Sequence, residues 1–261
     1  MKNLNMILLA STIAVISTAG HAELKSLDDI EMSGLTGQAG LTIELETQID
    51  IGEVVYTDEG QLAMINTHIG GQSGSLVDDV EITIDIQADG DAVVDVHSIS
   101  GTPIDIGITQ DAIELRGTGG ETTTLVSNLN IDGYINRVTM TVDTATDTLN
   151  FMSEVSVDDL NMDIDFLATG IRNMSVHGAG YQEGVTTLAD ADYFVHSEAA
   201  IKAGNSTATR AGGETSALQI NLAPVAMDIN IGAMELGGTS IGSVKFDDLT
   251  ISNTQLLVYG H

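Results

Sequence analysis

The chain has no cysteine, so disulfide staples, thiolate zinc sites, iron–sulfur clusters and thiol nucleophiles are excluded, and stability must come from backbone pairing and apolar burial. It has no tryptophan, and Phe plus Tyr make up only 3% of its 261 residues, which argues against an aromatic-lined ligand groove or a stacking platform. Basic residues are almost as scarce: 8 Lys plus Arg stand against 38 Asp plus Glu, a formal net charge of −30. Nucleic-acid binding needs clustered cations that displace counterions from phosphates, so nucleic acid and other phosphate-rich partners are excluded. After the N-terminal apolar stretch no segment approaches the roughly 20 unbroken apolar residues of a membrane-spanning helix, so no transmembrane span is expected. What the chain does have is 43% hydrophobic residues, enough for a real core, and 28 glycines.

Residues 1–22 read as a secretory signal peptide. Lys2 supplies the positive start, and the apolar stretch Leu4–Ile16 is too short and too broken by Ser and Thr to cross a bilayer. Gly20-His21-Ala22 places small residues at both recognition positions of a cleavage site. Cleavage after Ala22 leaves 239 residues with 38 acidic and 7 basic groups, an exported and water-facing chain.

Residues 23–261 read as a single acidic all-β domain. It opens on a short helix near 26–35: Ser26 and Asp29 form a cap-like pair, Leu27, Ile30 and Leu35 are apolar, and Gly34 and Gly37 act as stops. From Leu41 the apolar period changes to two. Ile82, Ile84 and Ile86, then Val94 and Val96, then Ile104, Ile106 and Ile108, then Ile113 and Leu115 alternate with Asp, Thr, Glu or Gln. The alternation returns in Val138, Met140 and Val142, in Leu160 to Phe166, in Leu218 to Leu222, in Met227 to Ile231, and in Leu256 and Val258. This is the pattern of strands with one wet face. Asp89-Gly90-Asp91, Gly117 to Gly120 and Gly237-Gly238 supply turn chemistry between them. Residues 178–216 break the rhythm and read as a non-repetitive excursion or lid, with a helix near Leu188 to Lys202.

A weak repeat underlies the alternation. Val77-Asp78-Asp79-Val80-Glu81-Ile82, Val157-Asp158-Asp159-Leu160-Asn161-Met162 and Phe246-Asp247-Asp248-Leu249-Thr250-Ile251 share the template apolar, Asp, Asp, apolar, polar, apolar. Each copy is read as leading into a strand, with a second strand downstream that closes on Gly101, Gly178 or Gly260. Recurring short strands that cannot bury a face alone suggest a stacked architecture, a β-solenoid or roll with the N-terminal helix as its cap. A β-sandwich or open barrel is the alternative.

Calcium takes hard oxygen ligands from Gly-rich turns, which makes Asp78, Asp79, Asp89, Asp91, Asp158, Asp159, Asp247 and Asp248 candidate ligands. Against them, Asp85-x-Gln87-x-Asp89-Gly90 opens like an EF-hand loop but has Val96 at its twelfth position, and Asn128-x-Asn130-x-Asp132-Gly133 fails at Thr139. Turn-forming and solubilising Asp is the simpler reading, and no other cofactor is expected. His68, His97, His177, His196 and His261 occur singly, without metal spacing, and read as surface or turn residues. Gly71-Gln72-Ser73-Gly74-Ser75 misses the nucleophile elbow because Ser75 stands where its last Gly belongs. Met140, Met162, Met227 and Met234 fall on the apolar phase of strands and read as core filling. No catalytic constellation emerges, and an enzyme is not expected.

The segment Met32-Ser33-Gly34-Leu35-Thr36-Gly37-Gln38-Ala39-Gly40-Leu41-Thr42-Ile43, just after the signal, resembles the opening of an uncharacterised family of secreted gamma-proteobacterial proteins, some of them labelled FilA-like pilus assembly proteins. Ala226 to Gly232, Ser240 to Val244 and the ending Val258-Tyr259-Gly260-His261 resemble the same family's close. The resemblance implies a Gram-negative exported protein of the periplasm, outer-membrane surface or extracellular space, associated with surface filaments and carrying no catalytic residues. The expected function is therefore structural: an interaction protein whose partners are other cell-surface or pilus proteins or further copies of itself. Exposed strand edges that another chain's strand extends supply its physical basis. Met32, Gly34, Leu35, Gly37, Gln38 and Gly40 are its candidate partner-binding residues. The alternative is a calcium-dependent adhesive or carbohydrate-binding module built on the Asp doublets.

Overall fold

The computed structural model describes residues 40–210 and 213–259. The signal segment, the helix expected at 26–35, Met32 to Gln38 and His261 lie outside the described residues. The rest is all-β, as the alternation predicts. Fourteen strands follow in order: β1 (Leu41–Thr47), β2 (Ile49–Thr57), β3 (Gln61–Gly70), β4 (Val77–Ile86), β5 (Ala92–Ser98), β6 (Ile104–Arg116) and β7 (Thr122–Asp143). The second half supplies β8 (Thr148–Ile164), β9 (Thr169–Gly178), β10 (Val195–Arg210), β11 (Gly213–Leu222), β12 (Val225–Leu236), β13 (Thr239–Ile251) and β14 (Thr254–Val258).

All fourteen belong to one sheet, and it stays open. Its stem is the long hairpin of β7 and β8, closed by a turn in which the Asp143 carboxylate accepts the backbone N–H groups of Ala145 and Thr146. Each stem strand is long enough to serve two neighbours on its outer side. The first half of β7 pairs with β6 and the second half with β5, while β8 pairs with β10 along its first half and with β9 along its second. Two branches result: β2-β3-β6-β7-β8-β9-β12-β13 and β1-β4-β5-β7-β8-β10-β11-β14. They touch beside the stem, where β4 meets β6 and β10 meets β12 and β9. Every pairing is antiparallel and strands distant in sequence become neighbours, so the ladder is a forked open sheet rather than the stacked rungs expected of a solenoid or roll.

Register explains the period of two. Leu41, Ile84, Val94, Met140, Phe151, Ala199 and Leu222 stand opposite one another in sequence, forming one apolar row across seven strands from β1 to β11. Such cross-strand rows are the unit of sheet stabilisation.

The Asp-Asp template has a structural meaning that the alternation alone does not reveal. In all three copies the register slips at the Asp pair: between Val77 and Val80 against β1, between Val157 and Leu160 against β9, and between Phe246 and Leu249 against β12. Three residues advance where the partner advances two, which is a β-bulge. The extra residue returns the two apolar positions to one face, although residues three apart in a regular strand face opposite ways. Asp79 and Asp248 take the left-handed conformation that such bulges use, at φ 58° and 54°. The template copies lie inside strands, and the second, near the end of β8, and the third, which ends β13, do not lead into a strand as the first does.

Two further expectations change. The helix near Leu188 to Lys202 is a short 3-10 turn at Ala191–Tyr193 followed by β10, so the excursion shrinks to residues 179–194. Glu198-Ala199-Ala200-Ile201-Lys202 carries helix-forming residues, but pairing to β8 on one side and β11 on the other overrides that preference. Phe166, assigned to a strand by alternation, sits exposed in the turn Asp165–Leu167. The core is also leaner than 43% hydrophobic content suggests. Among the described residues no large side chain is fully buried, and the buried apolar set is Ala63, Val80, Ile104, Phe194, Val195 and Ala217. An open sheet leaves much of its apolar surface to solvent.

Candidate functional site

Where β8, β9, β12 and β13 lie side by side, their wet face is polar in an ordered way. On β9, Asn173, Ser175 and His177 alternate toward this face, and on β12, Asp228, Asn230 and Gly232 do the same. His177 stands opposite Asp228, Ser175 opposite Asn230, and Asn230 opposite Lys245 of β13. The segment 179–194 folds over part of this floor, forming a half-open cavity of about 450 Å³ that Tyr181, Glu183 and Tyr193 complete. Gly178 makes the cover possible. It is buried at the end of β9, and a Cβ there would run into the carbonyl oxygens of Phe194 and Asp192.

Two of the three Asp-Asp bulges frame the cavity. On β8 the bulge turns Asp158 out toward the cover, where both of its carboxylate oxygens lie 2.8 Å from the Tyr193 hydroxyl that donates to it. The stem carries its own slip there, with Asp132 opposite Asp159 but Gly133 opposite Val157. Gly133 is required at that crossing, because a Cβ would meet the Ser156 carbonyl oxygen. On β13 the backbone N–H of Asp248 donates to Asp228 Oδ1 at 2.7 Å, so the bulge holds a carboxylate that is only 6% exposed. The third bulge, at Asp78–Asp79, opens onto no such space. Asp79 instead accepts the hydroxyls of Ser98 and Ser100 and the backbone N–H of Ser100, and these bonds hold its carboxyl below the ordinary carboxylate range.

The rings gather despite their rarity in the sequence. His177 stacks on Tyr181 with centroids 3.8 Å apart, and Tyr193 meets both edge-on, at 4.7 Å from His177 and 5.7 Å from Tyr181. The low aromatic content thus does not exclude an aromatic-lined pocket, because three of the chain's five tyrosines, counting Tyr134 at 6.3 Å from Tyr193, assemble here. Burial pushes the His177 imidazole below its usual pKa, overcoming the pull of Asp158 and Asp228 and of the hydrogen bond to the Tyr193 carbonyl at 3.2 Å. Burial first, and the adjacent Asp158 second, raise the Tyr193 hydroxyl well above the usual phenol range. Burial likewise raises Tyr181. At neutral pH the cavity therefore presents an uncharged imidazole and two protonated phenols, beside the side chains of Asp158, Asp228 and Glu183.

Residues 1–88 match the model of a family of unknown function, DUF6160. No curated protein and no solved structure matches the chain. The matched stretch ends just past β4, so it takes in the Asp78–Asp79 bulge and leaves the covered cavity outside.

The residues singled out from sequence are dispersed. Asp89 accepts the Asp91 backbone N–H within the turn between β4 and β5, and Asp91 accepts the backbone N–H and hydroxyl of Thr144. Asp159 accepts from Asn161, Asp247 pairs with Lys245 at 2.8 Å, and Asp78 is exposed. The doublets stand on β4, β8 and β13, and among the described residues no three acidic or histidine side chains converge as a metal site would require. Gly40 heads β1 hard against Asp85 and Ile84 of β4. His68, His97 and His196 are partly exposed beside carboxylates of their own or a neighbouring strand, whereas His177, expected at the surface or in a turn, is 4% exposed. Asp228, Tyr181, Tyr193 and Lys245 were not singled out. The wet phase of β12 contained Asp228, but nothing in the alternation tells which wet face acquires a cover.

Proposed function

We propose that the chain is an exported structural protein that joins a cell-surface filament, or its assembly, by adding strands at the free edges of its sheet. The observation that carries this reading is the state of the four outermost strands. Among the described residues β1, β2, β13 and β14 each pair on one side only, and each displays large apolar side chains to solvent: Leu41 and Ile43, Val54 and Tyr56, Ile241 and Phe246, Leu256 and Val258. An open edge with apolar neighbours is a template for another strand, and native monomers ordinarily shield such edges. The net charge of −30 suppresses unspecific contact, leaving backbone pairing and apolar burial to select partners. The association with filaments follows the resemblance of residues 32–43 to secreted proteins labelled for pilus assembly. Antibody labelling of intact cells in electron microscopy, beside size-exclusion of the sheared surface fraction, tests the reading. Labelled filaments and a high-molecular-weight pool are expected; a monomer confined to the periplasm would overturn it.

A further inference from the structure

The covered cavity holds more negative charge than its own residues neutralise. Of the side chains that line it only Lys245 is cationic, and its ammonium group is already 2.8 Å from Asp247. Asp228 is nine-tenths buried and takes its hydrogen bond from the neutral backbone N–H of Asp248, and the cation near it, Lys245, is shared with Asp247 and Asp248. Asp158 is met by a neutral phenol, and Glu183, at the cavity's open side, makes no ion pair or hydrogen bond among the described residues. A carboxylate removed from water without a compensating charge is unfavourable. Beside these groups stand the rings of Tyr181 and Tyr193, whose negative faces attract cations. Aromatic rings and carboxylates around one space are the chemistry that recognises ammonium groups. A neutral sugar would satisfy hydrogen bonds at Asn173 or Asn230 but would leave the charge unbalanced.

We infer that this cavity binds a small organic cation, an amine or quaternary ammonium group held beside the touching rings of Tyr181 and Tyr193 by the carboxylates of Asp158, Asp228 and Glu183. The site borrows Lys245 and the Asp248 N–H from the edge strand β13, but ligand binding is read on the unassembled chain and so is tested separately from filament assembly.

Calorimetric titration of the exported chain with tetramethylammonium chloride and with 1,4-diaminobutane, against sodium chloride at matched ionic strength and against methyl glucoside, tests it. Saturable binding of at least one ammonium probe is expected, with neither sodium nor the glucoside matching it. Asp228→Asn keeps the oxygen that accepts from Asp248 and removes the charge, and Glu183→Gln alters only an exposed position of the cover. Asp228→Asn should weaken binding about tenfold and Tyr181→Ala by a similar factor, with Glu183→Gln a few-fold weaker. Absence of saturable binding by both ammonium probes, binding of the glucoside alone, or unchanged affinity in all three variants would overturn the assignment.

Discussion

Asp79 and Asp248 hold a backbone conformation that few residues tolerate, and each sits at a point where the strand must gain one residue on its partner. Asn and Asp enter this region more readily than other side chains, and Gly enters it freely. Asp248→Gly should therefore leave urea stability within about 0.5 kcal/mol of the parent, whereas Asp248→Val should lose about 1–3 kcal/mol; equal losses would refute the bulge's backbone role. His177 supplies a second residue-scale prediction. Its pKa is lowered from 6.5 by burial, so the unfolded chain takes up the proton first as pH falls. The stabilising contribution is complete above about pH 6.5 and is lost on acidification toward the lowered value. Melting temperature should drop between pH 7.5 and 5.5 in the parent and drop less in His177→Gln, and parallel profiles would contradict the assignment. The sequence displayed the doublets and the lone histidine but not their roles. A doubled Asp looks like turn chemistry until the partner strand shows the register slipping across it, and burial of one histidine depends on a segment that folds over it.

Strands were readable from alternation because cross-strand rows such as Ile84, Val94, Met140 and Phe151 force apolar residues onto every second position. Their partners were not. Period two fixes which way side chains face and says nothing of which strand lies alongside, so the fork at β7 and β8 and the loss of the solenoid reading came only with the ladder. The segment 179–194 was visible as a break in rhythm, yet its end was misplaced, since pairing to β8 and β11 draws residues from Val195 onward into the sheet. Gly178→Ala should push the cover away from β9. The expected result is faster proteolytic cutting within 179–194 and a stability loss of about 1–3 kcal/mol, measured by pulse digestion and urea titration. The Asp doublets are engaged in bulges and turns on separate strands, so melting temperature should not move on adding calcium or a chelator. A rise with calcium would mean that these carboxylates converge in a way the described residues do not display.

For the molecule as a whole, two features oppose each other. Four apolar edges favour association and a net charge of −30 resists it, which makes ionic strength the natural control. Repulsion between like-charged copies is screened as the Debye length falls from roughly 30 Å at 0.01 M salt to about 8 Å at 0.15 M, while backbone pairing and apolar burial are little affected. Assemblies should grow across that range. Lysines placed on the edges act in the opposite direction, since a charge on an edge strand blocks the approach of another. Ile43→Lys on β1 and Val258→Lys on β14 change exposed positions and should leave the fold intact. Sedimentation velocity of residues 23–261 at 0.15 M salt, parent against the double variant, is the most direct measurement. Multimers in the parent that become smaller in the variant, whose β2 and β13 edges stay free, are what edge-driven assembly requires. A parent that sediments as a monomer at every salt concentration, or a variant that assembles as well as the parent, would contradict it.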